Sequence, residues 1–184
     1  FIENTSPYSE DGKFITSVTD SNLNTNLYET DSNTGLLISR TNPNNNTVIY
    51  TYNNKKKMTS TIQGNKVVNY EYNDKNLLSK IIQGDRVYNL SYDEFLNLKN
   101  IFIGNNINLV TKNYNINNGE LSSIRFGNGQ IISYIYDEFT RLKTLNNLNK
   151  HYNFRYDNKG NISKILVSSN NGDFNSIYLY KYDD

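Results

Sequence analysis

The chain has 184 residues, no Cys, one His (His151), and nineteen basic against eighteen acidic side chains. That inventory cannot build a disulfide framework, a zinc knuckle, a thiol nucleophile or a histidine-rich metal site. A net charge of +1 gives no broad basic face for nucleic acid, and no apolar run approaches the ~20 residues of a membrane-spanning helix.

Thirty-five Asn and 16 Tyr, with no Ala and no Trp, favour strands joined by turns over helices. Mean hydropathy is −0.71, but 13% aromatic content is unlike an aromatic-poor disordered tail. Part of the Asn and Lys excess fits an AT-rich genome. The chain opens at Phe1 without a Met and closes on Tyr182-Asp183-Asp184, so it is expected to be a piece of a longer protein.

An aromatic residue or its substitute recurs along the chain at positions 8, 30, 52, 72, 92, 116, 136, 156 and 182, with a base period of about twenty residues. Thr30 and Ile116 stand in for Tyr in this alignment. The local form is aromatic-x-Tyr-Asp/Asn, a short turn, then an apolar return segment. One unit shows the physics. Val68, Tyr70 and Tyr72 alternate with Asn69 and Glu71, the period of a strand. Asn73 to Asn76 form a turn, because Asx side chains bond the local backbone and Asn tolerates positive φ. Leu78 to Ile82 return, Gln83-Gly84-Asp85 turn again, and Arg86 to Tyr92 open the next unit. Leu78 and Ile81 lie three apart, which requires either a bulge or two partly buried faces.

The remaining candidates follow in chain order. Asp31-Ser32-Asn33-Thr34-Gly35 has the spacing of the first part of a calcium loop but lacks its later ligands; it coincides with a repeat turn. Lys55-Lys56-Lys57 is the only dense basic run and falls in a hairpin turn, where a solvated tip is the expected role. The pairs Asp93-Glu94 and Asp137-Glu138 could suggest glycoside hydrolysis. They recur at one repeat position, however, as turn residues do. His151 is placed in a loop before a strand over 152–156. The sequons at Asn4, Asn45 and Asn161 are what chance gives at this Asn content.

The pairs Tyr92-Asp93, Tyr136-Asp137, Tyr156-Asp157 and Tyr182-Asp183 carry a resemblance, as does the run Tyr156-Asp157-Asn158-Lys159-Gly160-Asn161-Ile162. Together with Phe126-Gly127-Asn128-Gly129-Gln130 they make the chain resemble the RHS/YD-repeat family. It departs from the pattern where Asp becomes Asn53 and Asn73, and where the turn Gly becomes Lys56, Asn76, Leu96 and Thr140. The repeat-defining structural residues are Tyr52, Tyr72, Tyr92, Asp93, Tyr136, Asp137, Tyr156, Asp157, Gly160, Tyr182 and Asp183.

The resemblance implies an all-β fold: tandem β-hairpin repeats of about 20 residues forming a curved, spiralling antiparallel sheet, one array over residues 1–184. About sixteen to eighteen strands are expected. It further implies a non-catalytic segment of a shell wall in a secreted or surface protein, here of a Gram-positive bacterium, that encloses or displays a toxin or effector domain. Expected partners are the neighbouring repeats and an enclosed C-terminal toxin domain of the same chain. No catalytic residue, metal, cofactor, nucleic acid or membrane span is expected. The family's shells often end in a Pro-, Asp- and Gly-rich self-cleaving segment, and this chain, with only Pro7 and Pro43, has none. The competing function is an adhesin or carbohydrate-binding module that stacks cell-surface glycan on exposed Tyr and Asn. Trp-based choline-binding repeats and Tyr-Tyr-Phe toxin repeats do not match.

Overall fold

The computed structural model describes residues 6–169 and 175–182. Sixteen strands follow in chain order, each hydrogen-bonded to its sequence neighbours in an antiparallel meander, and no helix occurs among the described residues. The chain divides into two compact units, residues 1–88 and 89–184.

The first unit holds β1 (Ser17–Thr19), β2 (Thr25–Thr30), β3 (Leu37–Thr41), β4 (Thr47–Tyr52), β5 (Met58–Gln63), β6 (Lys66–Tyr72) and β7 (Leu78–Gln83). Its β4 and β6 alternate cleanly. Val48, Tyr50 and Tyr52, like Val68, Tyr70 and Tyr72, are half-buried on one face, while Thr47, Thr51, Asn69 and Glu71 stand exposed on the other. The polar face is knitted by cross-strand side chains: Thr41 to Thr47 at 2.8 Å, Thr51 to Ser60 at 2.7 Å, and the Glu71–Lys80 ion pair at 2.9 Å. The Gln63–Lys66 and Gln83–Arg86 hairpins turn through Gly64 and Gly84, at φ 55° and 56°. Gly at the first central position with positive φ is the demand of a II′ turn.

β8 (Arg86–Tyr92) begins before residue 89 and ends after it. The second unit continues with β9 (Leu98–Ile103), β10 (Ile107–Tyr114), β11 (Leu121–Phe126), β12 (Ile131–Tyr136), β13 (Leu142–Asn146), β14 (Lys150–Tyr156), β15 (Ile162–Ser169) and β16 (Asn175–Leu179). The same two faces recur. Tyr134, Tyr136, Phe154 and Tyr156 are half-buried. The opposite face pairs Asn113 with Ser123 at 3.0 Å and Thr144 with Asn153 at 3.2 Å. Here Gly127 is required by close approach. Its N–H donates to Leu109 O at 2.8 Å, and an added Cβ would lie 2.4 Å from Asn108 O.

Among the described residues only Val167 and Ser60 are fully buried, at 6% and 8% exposure. The strand tyrosines Tyr52, Tyr72, Tyr114, Tyr136 and Tyr156 are half-buried, each ring flanked along the sheet by neighbouring strands. Each ring therefore depends on the hairpins before and after it.

The bulge question resolves the same way in six hairpins. Pairing runs Glu71 with Lys80, then Tyr72 with Leu78, leaving Ser79 extra. The identical slip sits at Thr30, Tyr52, Tyr114, Tyr136 and Tyr156. This bulge brings Leu78 and Ile81 to one face. Its extra residue is small and polar in most copies, and Ser79 and Ser122 donate their hydroxyls back to Glu71 O and Asn113 O.

Two placements are corrected. The sixth repeat tyrosine is Tyr114, with Ile116 in the following turn. That turn spans six residues, and a one-residue slip near Leu109 lengthens β10, which together disguise the register. His151 lies inside β14, where its Nδ1 hydrogen-bonds Asn146 Oδ1 across the pair.

Candidate functional site: the turn rim and its tyrosine staples

The recurring residues meet at one rim of each unit, where a Tyr-bearing strand ends and the return strand begins. Directly after the Tyr comes Asp or Asn, and in four turns its Oδ1 accepts backbone N–H groups from two and four residues on. Asp137 caps Phe139 and Arg141 at 2.9 and 3.0 Å; Asp157 caps Lys159 and Asn161 at 2.9 and 2.8 Å. Asp93 does the same for Phe95 and Asn97, and Asn53 for Lys55 and Lys57. Only Oδ1 is needed for this, which is why Asn53 and Asn73 replace Asp without loss of the turn.

The second carboxylate oxygen explains where Asp is used. Oδ2 of Asp93 and Asp157 accepts from the Asn97 and Asn161 side chains at 3.2 and 3.3 Å. Asp137 Oδ2 instead takes Arg141 Nε at 2.8 Å and NH2 at 2.7 Å. At Asn53 and Asn73 the residue four on is Lys57 or Leu77, and no such partner is called for. Hydrogen bonding from Arg141 holds the Asp137 carboxyl below the usual carboxylate range, and the Asn161 N–H does so for Asp157. At Asp93 desolvation works upward, but the bonds from Asn97 outweigh it and the carboxyl is also lowered.

Each turn closes through a left-handed residue. Gly160 takes it at φ 86°, but Lys56, Asn76, Leu96 and Thr140 adopt φ between 58° and 69° in its place. These are the four positions where the turn Gly is replaced, and a β-branched Thr there is strained.

The Tyr ring then crosses to the preceding repeat. Its hydroxyl donates to the carbonyl of that repeat's first return-strand residue: Tyr52 to Leu37 and Tyr72 to Met58 at 2.8 Å, Tyr114 to Leu98 at 3.0 Å. Tyr136 to Leu121 at 3.1 Å, Tyr156 to Leu142 at 2.7 Å and Tyr182 to Ile162 at 3.0 Å complete the series. Burial raises the phenol pKa of Tyr52, Tyr114, Tyr136 and Tyr156, so each of these hydroxyls keeps the proton it donates, and it raises that of Tyr92 as well. Arg141 also lies 4.4 Å from the centroid of the Tyr156 ring, tying turn cap to staple.

Tyr52, Tyr72, Tyr92, Asp93, Tyr136, Asp137, Tyr156, Asp157, Gly160 and Tyr182 thus lie on these rims; Asp183 lies outside the described residues. The staple itself was invisible to sequence reasoning, because its acceptor is a backbone carbonyl. The trace it leaves is a Tyr fourteen to sixteen residues after the first return-strand residue in five of the six bonds. Asp31 Oδ1 takes Asn33 N–H, Thr34 N–H and the Thr34 hydroxyl, so the calcium-like stretch is a capped turn. Among the described residues no group of three His, Cys, Asp or Glu could hold a metal ion.

Within each unit these bonds couple hairpins to the ones before them. Solved structures share the fold. The chain is similar to TcdB2-TccC3-TEV (TM-score 0.71, 18% identity), covering 94% of this chain and 11% of that one. It is similar to TcdB2-TccC3 (TM-score 0.68, 17% identity), covering 94% and 12%. TcdB2-TccC3 without its hypervariable C-terminal region matches at TM-score 0.69 and 17% identity, over 94% and 11%. This chain therefore spans about a ninth of the length of those proteins. No curated protein matches it. The Teneurin YD-shell family profile matches residues 44–178, about three quarters of the chain and the stretch that holds five of the six stapling tyrosines, so the chain belongs to the Teneurin YD-shell family.

Proposed function

We propose that this segment is part of the wall of a shell that encloses a toxin or effector domain of the same protein, in a secreted or surface-associated protein, and that it carries no catalysis of its own. The observation behind this is the staple series. Every Tyr hydroxyl in it is spent on the preceding hairpin, and the capping Oδ1 atoms of Asn53, Asp93, Asp137 and Asp157 on their own turns. Such residues build wall and leave little free for ligand chemistry. The similarity to TcdB2-TccC3, a protein with a hypervariable C-terminal region, supports the enclosed-domain reading.

The test is limited proteolysis of the parent protein, intact and in mild denaturant, following the segment downstream of these repeats. Protection of that segment until the repeats open is the expected result. Immediate cleavage while the repeats resist would overturn enclosure. A glycan-binding surface would then be the next reading, although the rings for it are few: Tyr8, Tyr178, Tyr180 and Tyr182, the tyrosines with the most exposure, all lie near the ends of the described chain.

A further inference from the structure

Three Asx-Gly pairs lie among the described residues: Asp11-Gly12, Asn118-Gly119 and Asn128-Gly129. In such a pair the glycine nitrogen, with no side chain on the following carbon to hinder it, can reach the side-chain carbonyl carbon before it. The fold restrains the three pairs unequally.

Asp11 is held at both oxygens. Its Oδ1 accepts from the Ser9 hydroxyl at 2.6 Å, and its Oδ2 pairs with Lys13 Nζ at 3.0 Å. The bonds from Ser9 and Lys13 bring its pKa down to about 2, so at neutral pH it stays a carboxylate and offers no leaving group. Asn118 is held at both ends of its amide. Its Oδ1 accepts the Glu120 N–H at 3.1 Å, and its Nδ2 donates to Glu120 Oε2 at 2.8 Å. The other oxygen of that carboxylate, Oε1, is shut off from solvent without a hydrogen-bond partner, so the Asn118 amide is the group the carboxylate relies on. Asn128 is exposed and held at one end only. Its Oδ1 accepts the Gln130 N–H at 3.1 Å, and its Nδ2 has no partner among the described residues. The two glycine N–H groups are engaged alike, Gly119 with Asn115 O at 2.8 Å and Gly129 with Phe126 O at 2.9 Å. The amide nitrogen is therefore what differs. Swinging Asn118 Cγ onto its glycine breaks a charge-assisted bond that Asn128 does not have.

We infer that Asn128 is a self-modifying site, converted by water to isoaspartate and aspartate well before Asn118 or Asp11 changes, and that the isoaspartate form loosens β11 from β10. Gly129 N attacks Asn128 Cγ, with the Gln130 N–H already at the oxygen where charge develops. The N–Cγ bond forms, the Cγ–Nδ2 bond breaks, and ammonia leaves with the glycine's proton. Water then opens the cyclic imide. Attack at Cγ leaves aspartate; attack at the main-chain carbonyl carbon leaves isoaspartate, with the chain running through Cγ. That link adds a methylene to the main chain beside Gly127. An added Cβ on Gly127 would lie 2.4 Å from Asn108 O, and its N–H is bonded to Leu109 O. The backbone has no slack at that point, so the bond to Leu109 is the contact that gives.

Incubating the whole chain in mildly alkaline buffer, followed by peptide mapping that separates isoaspartate from aspartate, tests this. Cleavage at Arg125 puts Asn118 and Asn128 in different peptides. Asn128 should convert about tenfold faster than Asn118, the worth of one charge-assisted bond, with Asp11 unchanged over the same period. In urea, where no clamp remains, the two Asn-Gly pairs should convert alike. Glu120→Ala should raise the Asn118 rate about tenfold and leave that of Asn128 as it was. The wild-type ranking stands as a test whether or not that variant folds. Hydrogen exchange at the Gly127 N–H should quicken in the isoaspartate form. Equal rates at Asn118 and Asn128 in the folded wild type, or an Asn128 that stays intact, would overturn the site. Unchanged exchange at Gly127 would overturn the loosening. Neither result depends on what the shell encloses.

Discussion

The units formed by residues 1–88 and 89–184 use one backbone plan with different turn chemistry. The central turns of the first are capped by Asn53 and Asn73, and three of the four in the second by Asp93, Asp137 and Asp157. The first places Lys56 and Asn76 at its left-handed positions, the second Leu96, Thr140 and Gly160. The difference teaches which atoms the repeat needs. One Oδ1 acceptor and one positive φ recur at these turns, a ring hydroxyl precedes every one of them but the turn after Thr30, and the rest of the rim is free to vary.

The comparison breaks first if the staples are unequal. Tyr72→Ala and Tyr136→Ala, one per unit, should each cost about 2–4 kcal/mol, combining partial loss of a large ring with an orphaned carbonyl. Urea denaturation reads both, and a loss below about 1 kcal/mol in either would mean that unit does not rely on its ring. Gly127→Ala should cost about 1–3 kcal/mol, since the new Cβ meets backbone and the neighbouring strand must shift. The same measurement returning no change would show that β10 yields freely there.

Smaller effects sharpen the comparison. Thr140→Gly should gain about 1 kcal/mol by removing left-handed strain, and Gly160→Thr should lose a similar amount. A neutral Thr140→Gly would place compensating contacts at that turn. Acid should separate the units by capping residue. The carboxyls of Asp93, Asp137 and Asp157 are lowered in the folded state. Their contribution is therefore present above the unfolded value of about 4 and is lost as pH falls through the folded values. Hydrogen exchange below pH 4 should find turns 93–97, 137–141 and 157–161 opening while 53–57 and 73–77 stay closed. Asp137→Asn should make its own turn insensitive to acid, and equal opening of all five turns would sink the distinction.

Much of this was legible in the sequence. Val68-Asn69-Tyr70-Glu71-Tyr72 announces its strand by alternation, and Asn73 and Asp157 announce turns by their side-chain chemistry. Leu78 and Ile81 at a spacing of three signalled that something interrupts the return strand without saying what, because a bulge changes register and leaves composition alone. Ile116 misled because the extra residue near Leu109 and the six-residue turn before Leu121, one residue longer than the turn before Leu78, together hide Tyr114. His151 looked like a loop residue because the connection over 147–149 is short and the strand starts earlier than its aromatic residues do. The staple was unreadable for a simpler reason: a carbonyl has no letter of its own.

That staple points one way. Tyr72 secures Met58 and Tyr156 secures Leu142, each fourteen residues earlier, and every bond in the series runs backward along the chain. A hairpin is latched only after the following one has been made. Emerging from a ribosome, the array would close vectorially like a zip pulled from its N-terminal end, with all hairpins secured at any moment except the newest.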